Sequence, residues 1–149
     1  MTNNNNLAVE FGLASASIIE AVLQGQTIET AIFNSYKVAS HNVTEVTKKA
    51  ISLTPEDNLT VTSKFGTSCK LVYGFPSVIH NALTSDSYST AIQKNIYAGG
   101  DSSGRAMLLG ALLGAANGIG GEKGIPLEWI EKLTQKREVE SLVTELLSL

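Results

Sequence analysis

Residues 97–118 read Tyr97-Ala-Gly-Gly-Asp-Ser-Ser-Gly-Arg-Ala-Met-Leu-Leu-Gly-Ala-Leu-Leu-Gly-Ala-Ala-Asn-Gly118. A polar, glycine-flanked turn opens a run made almost wholly of apolar and small residues. Paired glycines at 99 and 100 allow backbone angles that stop a preceding helix, so a sharp corner is expected there. Asp101 and the hydroxyls of Ser102 and Ser103 stand where the next helix begins. Their oxygens suit two tasks, capping free backbone N–H groups or holding a hard cation such as Mg²⁺. Past the turn, Ala106, Gly110, Gly114 and Gly118 recur every four residues and therefore share one helix face. Two mid-helix glycines cost about 1 kcal/mol each relative to alanine, which makes sense where another helix or a ligand approaches closely.

The same spacing argument extends in both directions. Upstream, Tyr88, Ala91, Ile92, Asn95 and Ile96 define a helix that feeds the corner, and Ser85-Asp-Ser87 is a loop with a good cap. Val78, Ile79, Ala82 and Leu83 support a helical segment ending near Thr84, with Gly74 and Pro76 punctuating the chain before it. Leu59-Thr-Val-Thr62 alternates for four residues, too few for a sheet, and reads as a short helix or link. Earlier still, Leu7–Leu23 and Thr27–Ala39 carry apolar residues at three- and four-residue steps, with Gly25 closing the first. Asn42-Val-Thr-Glu45 has the spacing of a capping box for a third helix through Val46 and Ala50. Downstream, Gly118–Gly124 is a loop, Pro126 suits a helix's first turn, and Val139, Leu142, Val143, Leu146 and Leu147 mark a last amphipathic helix. The expected fold is an all-α multi-helix bundle, with residues 1–6 a disordered start and 7–149 one domain.

Composition narrows the partners. The chain has 149 residues, 43% of them hydrophobic, which suits one domain with a real core. A formal charge of −3 supplies neither a basic face for nucleic-acid phosphates nor a polybasic segment for an anionic membrane. The strongly apolar run Ala106–Ala116 has eleven residues and is cut by two glycines, well short of the roughly 20 that cross a bilayer. Nucleic acid and membrane are thus excluded as partners at this stage. One cysteine, Cys69, forms no internal disulfide, and no secretory signal pattern opens the chain, so a reducing, cytoplasmic setting is expected.

The corner and its flanks resemble the carboxy-terminal signature of the ADP-ribosylglycohydrolase family, a Gly-Gly-Asp-Thr-Asp-Thr turn leading into a helix with small residues at four-residue spacing. Gly99, Gly100 and Asp101 match it directly and Ser102 matches in kind. Ile125-Pro-Leu-Glu-Trp-Ile-Glu-Lys-Leu133 resembles the family's segment after that helix, and similarity runs from about Gly66 to Leu133. The resemblance implies an all-α fold whose cleft holds Mg²⁺ ions and hydrolyses bonds between ADP-ribose and a protein side chain or related acceptor. It implies Asp101 as a metal ligand, Ser103 at the place of the second Asp, Gly104 at the place of the Thr, and Gly99, Gly100 and Arg105 beside the bound ligand. Two of the turn's three ligands are therefore lost, and the acidic Thr-Asp-Asp run of the family's amino-terminal half has no counterpart here. On this reading the chain is the carboxy-terminal portion of the domain, incomplete and inactive alone. It would self-associate through the surface its other half normally covers. The Ser-Gly-Arg-Ala form of the turn, Cys69 and Phe75-Pro-Ser77 are nearer a branch containing the jellyfish J1 lens crystallins and their selenoprotein relatives, which implies a non-catalytic structural protein as the alternative.

Other polar residues read more plainly. Arg105 suits a phosphate, an ion pair with Asp101 or a helix-surface position. His41 and His80 lack a second ligand at metal spacing, and Ser77, Ser87 and Ser89 lack nucleophile-elbow glycines. Cys69 is expected to be a quiet buried thiol, and Tyr97 and Trp129 core aromatics. No catalytic side chain is identified.

Overall fold

The structure is a computed structural model that describes residues 5–148. Those residues form nine helices: α1 (Asn6–Leu23), α2 (Ile28–Val38), α3 (His41–Ser52), α4 (Asn58–Phe65), α5 (Leu71–Thr84), α6 (Tyr88–Tyr97), α7 (Ser102–Asn117), α8 (Leu127–Glu131) and α9 (Lys136–Leu147). Among them the one pairing of extended backbone is a bridge between Ile119 and Ile125. The fold is all-α, as expected. Of the expected disordered start, residues 1–4 lie outside the described residues. Asn5 caps α1, its side chain accepting from the N–H of Ala8 at 2.8 Å, and Asn6 opens the helix.

Most helix limits follow from local chemistry. Thr27, Asp57 and Ser87 accept from the N–H three residues on, satisfying donors that a helix start leaves free. Gly25, with φ +91°, ends the turn after α1. The bundle is organised around α5, which packs against α3, α4 and α7, while α1 lies on α2 and α7 and α6 lies on α7. Eight consecutive residues of α5, Phe75–Ala82, are buried. Phe11 of α1 meets Phe75 edge to face at 5.1 Å, and Leu109, Leu112 and Leu113 of α7 close the core. Each such large apolar side chain contributes about 1.5–3 kcal/mol on burial.

Most polar groups inside the core are paired, the hydroxyl of Thr62 being the exception among the described residues. Asn58 Nδ2 lies 3.2 Å from His80 Nδ1 and 3.3 Å from the carbonyl of Ser77, and His80 Nε2 lies 3.1 Å from the carbonyl of Leu53. An amide nitrogen only donates, which assigns the imidazole proton to Nε2. Burial holds the His80 pKa below its ordinary value. His80 is thus a core histidine, and His41 is exposed at the start of α3.

Several expectations fail for physical reasons. The capping box at Asn42–Glu45 does not form. Ser40 and Asn42 both donate to the carboxylate of Glu10, at 2.8 and 2.9 Å, so a tertiary contact takes the groups that would have capped locally. Helix α5 runs through Gly74 and Pro76 instead of starting after them. The carbonyl of Val72 loses the donor that Pro76 cannot supply, and burial of the following segment outweighs that loss. The small-residue face of α7 admits side chains instead of a helix backbone: a Cβ on Gly110 would lie 3.0 Å from Tyr88 Oη, and one on Gly114 3.4 Å from Ile125 Cδ1. Cys69 and Tyr97 are exposed, not buried. Helix α9 forms as expected but buries none of its residues. Finally, it is α1, with mean hydropathy 1.5 over 18 residues, that has the length and composition to cross a bilayer. In this fold its Phe11, Ala14, Ile18 and Val22 are core, and its Glu10 is tied to Ser40 and Asn42.

Candidate functional site

The corner between α6 and α7 forms as a consequence of two left-handed glycines, Gly99 at φ +66° and Gly100 at φ +60°. The N–H of Asp101 donates to the carbonyl of Thr67 at 2.8 Å, pinning the corner to the loop before α5. A Cβ on Gly100 would strike that same carbonyl, whereas nothing lies within 4 Å of one on Gly99. Asp101 then caps α7, its Oδ1 accepting from the N–H of Gly104 at 3.1 Å. The carboxylate folds back so closely that any Cβ at position 104 would collide with it.

Arg105 holds the corner from beneath. It is only 4% exposed, so neither a helix-surface position nor an open ion pair describes it. Its Nε donates to Asn95 Oδ1 at 2.8 Å, and its Nη2 donates to the carbonyls of Asn95, at 3.2 Å, and Gly99. The Asn95 carbonyl belongs to the last turn of α6, where the helix dipole is negative and the last acceptors lack partners, and the Gly99 carbonyl belongs to the corner just past it. Asn95, itself 2% exposed, donates from Nδ2 to the carbonyl of Ser102 at 2.8 Å. One buried amide thereby bridges the guanidinium and the first turn of α7. Burial lowers the Arg105 pKa and the nearby Asp101 charge opposes that shift, but no carboxylate among the described residues lies within ion-pair distance.

A cleft of about 600 Å³ opens beside this corner, between α1, the start of α5 and the start of α7. Its floor is apolar, with Phe11, Phe75, Val78 and Leu108, and its rim carries Cys69, Lys70, Asp101 and Arg105. This size and mixture suit a small organic ligand, for which sites span about 300–1,000 Å³. Asp101, Gly104 and Arg105 are thus brought to one cleft, while Ser103 is exposed and is not among its walls.

Comparison with known families settles the lineage. The profile of the ADP-ribosylglycohydrolase family matches residues 1–149. The chain belongs to the ADP-ribosylglycohydrolase family. No curated protein and no solved structure matches it.

ADP-ribosylglycohydrolases are typically metal-dependent, so the donor set at the corner can be set against what a divalent ion needs. Mg²⁺ takes six oxygens in near-ideal octahedral geometry and is usually held through carboxylates. Among the described residues Asp101 is the one carboxylate of the cleft, it is turned onto a backbone N–H, and Gly104 has no side-chain oxygen. No cluster of three or more His, Cys, Asp or Glu side chains occurs among the described residues. The residues present do not fit the ion.

Three contributors escaped sequence reading. Thr67 and Lys70 sit in a loop with no periodicity to flag them. Asn95 looked like one more position on an apolar helix face, although Ile96, its neighbour, is the residue that points outward. The usable signal was an Arg ten residues after an Asn across a glycine corner, a spacing that places a donor fork over a helix end.

Proposed function

We propose that this ADP-ribosylglycohydrolase-family chain recognises ADP-ribose or an ADP-ribosylated acceptor in the Asp101 cleft, and that its Mg²⁺-dependent hydrolytic centre is eroded. Hydrolysis of ADP-ribose linkages then requires carboxylates from outside residues 1–149. The observation that carries this reading is the folded-back carboxylate of Asp101, which accepts from Gly104 N–H at 3.1 Å with no second carboxylate in the cleft among the described residues. Loss of one acidic ligand removes a negative charge the cation needs, and glycine at the third ligand position supplies no side-chain oxygen. A reducing, cytoplasmic setting belongs to the same proposal and is supported by a single free, exposed thiol.

In a hydrolysis assay on ADP-ribosylated protein with millimolar Mg²⁺, the chain alone is expected to release no ADP-ribose, while ADP-ribose itself perturbs residues of the cleft. Release that is abolished by Asp101→Asn would overturn the erosion, and absence of any ADP-ribose contact would overturn the recognition.

A second reading, a non-catalytic crystallin-like structural protein, is favoured by Arg105. That residue is bound to the carbonyls of Asn95 and Gly99, so the Ser-Gly-Arg-Ala form of the turn serves the stability of the corner whether or not a ligand enters.

A further inference from the structure

Helix α9 carries an apolar stripe that the bundle leaves uncovered. Val139, Leu142, Val143 and Leu146 fall at three- and four-residue steps on one face, and all four are exposed. The edges of that stripe are acidic. Glu138 and Glu145 lie along one side and Glu140 along the other, while Arg137 falls on the opposite face with Ser141 and Thr144. Lys136, the cation beside the stripe, already pairs with Glu131 and Glu140. The last turn holds no basic residue, so Glu145 stands at the negative end of the helix dipole without a local counter-charge. Two copies of α9 packed antiparallel, stripe to stripe, would set the edge of Glu138 and Glu145 against itself. The surface that suits α9 is instead an apolar groove of positive potential.

The fold has such a groove in the cleft at the corner. Its floor is apolar, and exposed Leu71 and Met107 stand at its mouth. The first turns of α1, α5 and α7 open onto it through Ala8, Leu71 and Gly104, so three positive helix ends converge there. Lys70 and Arg105 add two positive charges, against the single carboxylate of Asp101 among the described residues. A chain's own α9 is held away from this cleft. Ile125 packs at Gly114, which lies about 15 Å further along α7 than Gly104. Trp129 of α8 meets Tyr88 at the start of α6, and Lys136 ties the start of α9 to Glu131 of α8 at that far end.

We propose that α9 of one copy docks by its apolar stripe into the corner cleft of a second copy, with its acidic edges toward Lys70 and the three helix starts. Reciprocal exchange closes the pair into a two-fold dimer. A helix of 12 residues makes a small contact, so the association is weak and concentration-dependent. The inference needs no nucleotide, and a docked helix covers the cleft and competes with any small ligand there.

The test follows the full chain by sedimentation velocity and by nuclear magnetic resonance from about 10 µM to 1 mM, the range of a small, transient interface. The average mass is expected to rise with concentration, while the amide signals of Leu71 and Met107 in the cleft shift together with those of Leu142 and Leu146. Leu142→Glu, on an exposed helix face, should keep the fold and abolish both effects. Lys70→Glu should weaken association by about tenfold, since it reverses one charge at the groove. An acidic residue before α5 suits that helix start, so the variant should fold. Mixing the two variants pairs an intact α9 with an intact cleft and should restore one contact. A mass that stays monomeric at 1 mM would overturn the proposal. So would association that Lys70→Glu does not weaken and that leaves the cleft signals still, which would mean pairing through another face. Cleft signals that Leu142→Glu moves equally at every concentration would place α9 in its own cleft and overturn it as well. Because ADP-ribose is absent throughout, failure here leaves the ADP-ribose reading to its own assay.

Discussion

At the scale of single residues, the two glycines of the corner make different demands. Gly99 needs only its left-handed angle, whereas Gly100 needs that angle and the space taken by Thr67. Gly99→Ala should therefore cost about 1–2 kcal/mol, the left-handed penalty alone. Gly100→Ala should cost clearly more, as measured by urea unfolding, and equal losses would mean that the Thr67 contact is not tight. Asn95→Ala strips Arg105 Nε and the Ser102 carbonyl of partners in a buried place, and a loss of about 2–4 kcal/mol is expected. His80 brings a pH dependence whose sign is set by burial. Its folded pKa is depressed, so the unfolded chain binds the extra proton, and stability falls as pH drops below about 6.5 and stays flat above it. A His80→Gln variant should flatten that slope in acid. The sequence made the glycines and Asp101 legible because their backbone roles are local. Asn95, Thr67 and the exposure of Cys69 were hidden, since each depends on which distant segment happens to lie beside it.

At the scale of helices, three- and four-residue apolar spacing located most of the bundle, because burial of one face is what stabilises each element. Spacing failed where a tertiary partner overrode a local rule, as Glu10 does when it takes Ser40 and Asn42 from the expected capping box. It failed again at Gly74 and Pro76, where packing of α5 on three neighbours carries the helix through two poor formers. The small-residue face of α7 offers a test of close approach. Gly114→Ala meets only the flexible end of Ile125 and should raise stability by up to about 1 kcal/mol through helix propensity. Gly110→Ala must displace the Tyr88 hydroxyl and should gain less or lose. Thermal melts of the two variants that rise equally would show that Tyr88 yields without cost.

At the scale of the whole molecule, apolar surface is distributed unevenly. On α9, Val139, Leu142, Val143 and Leu146 are all exposed, and α1 shows Val9 and Leu13 to solvent beside the cleft. Self-association through such faces is a proposal that follows from their size and position. Removing residues 135–149 should leave the unfolding free energy of the bundle within about 0.5 kcal/mol, since surface residues contribute little, and should reduce binding of a hydrophobic dye. A large destabilisation would show that α9 packs on the body in solution. The family and the all-α class were readable because turn, small-residue helix and Pro-Trp segment come in order along the chain. What the cleft does was less readable, because the direction in which the Asp101 carboxylate turns is not visible in the sequence. That direction is the centre of the account, and it is tested by titrating Mg²⁺ into the protein, with and without ADP-ribose, while following the amide signal of Gly104. The account predicts that the Gly104 signal does not move saturably at millimolar Mg²⁺. A saturable shift of that signal, lost in Asp101→Asn, would show that the carboxylate leaves its cap for a metal and would contradict it.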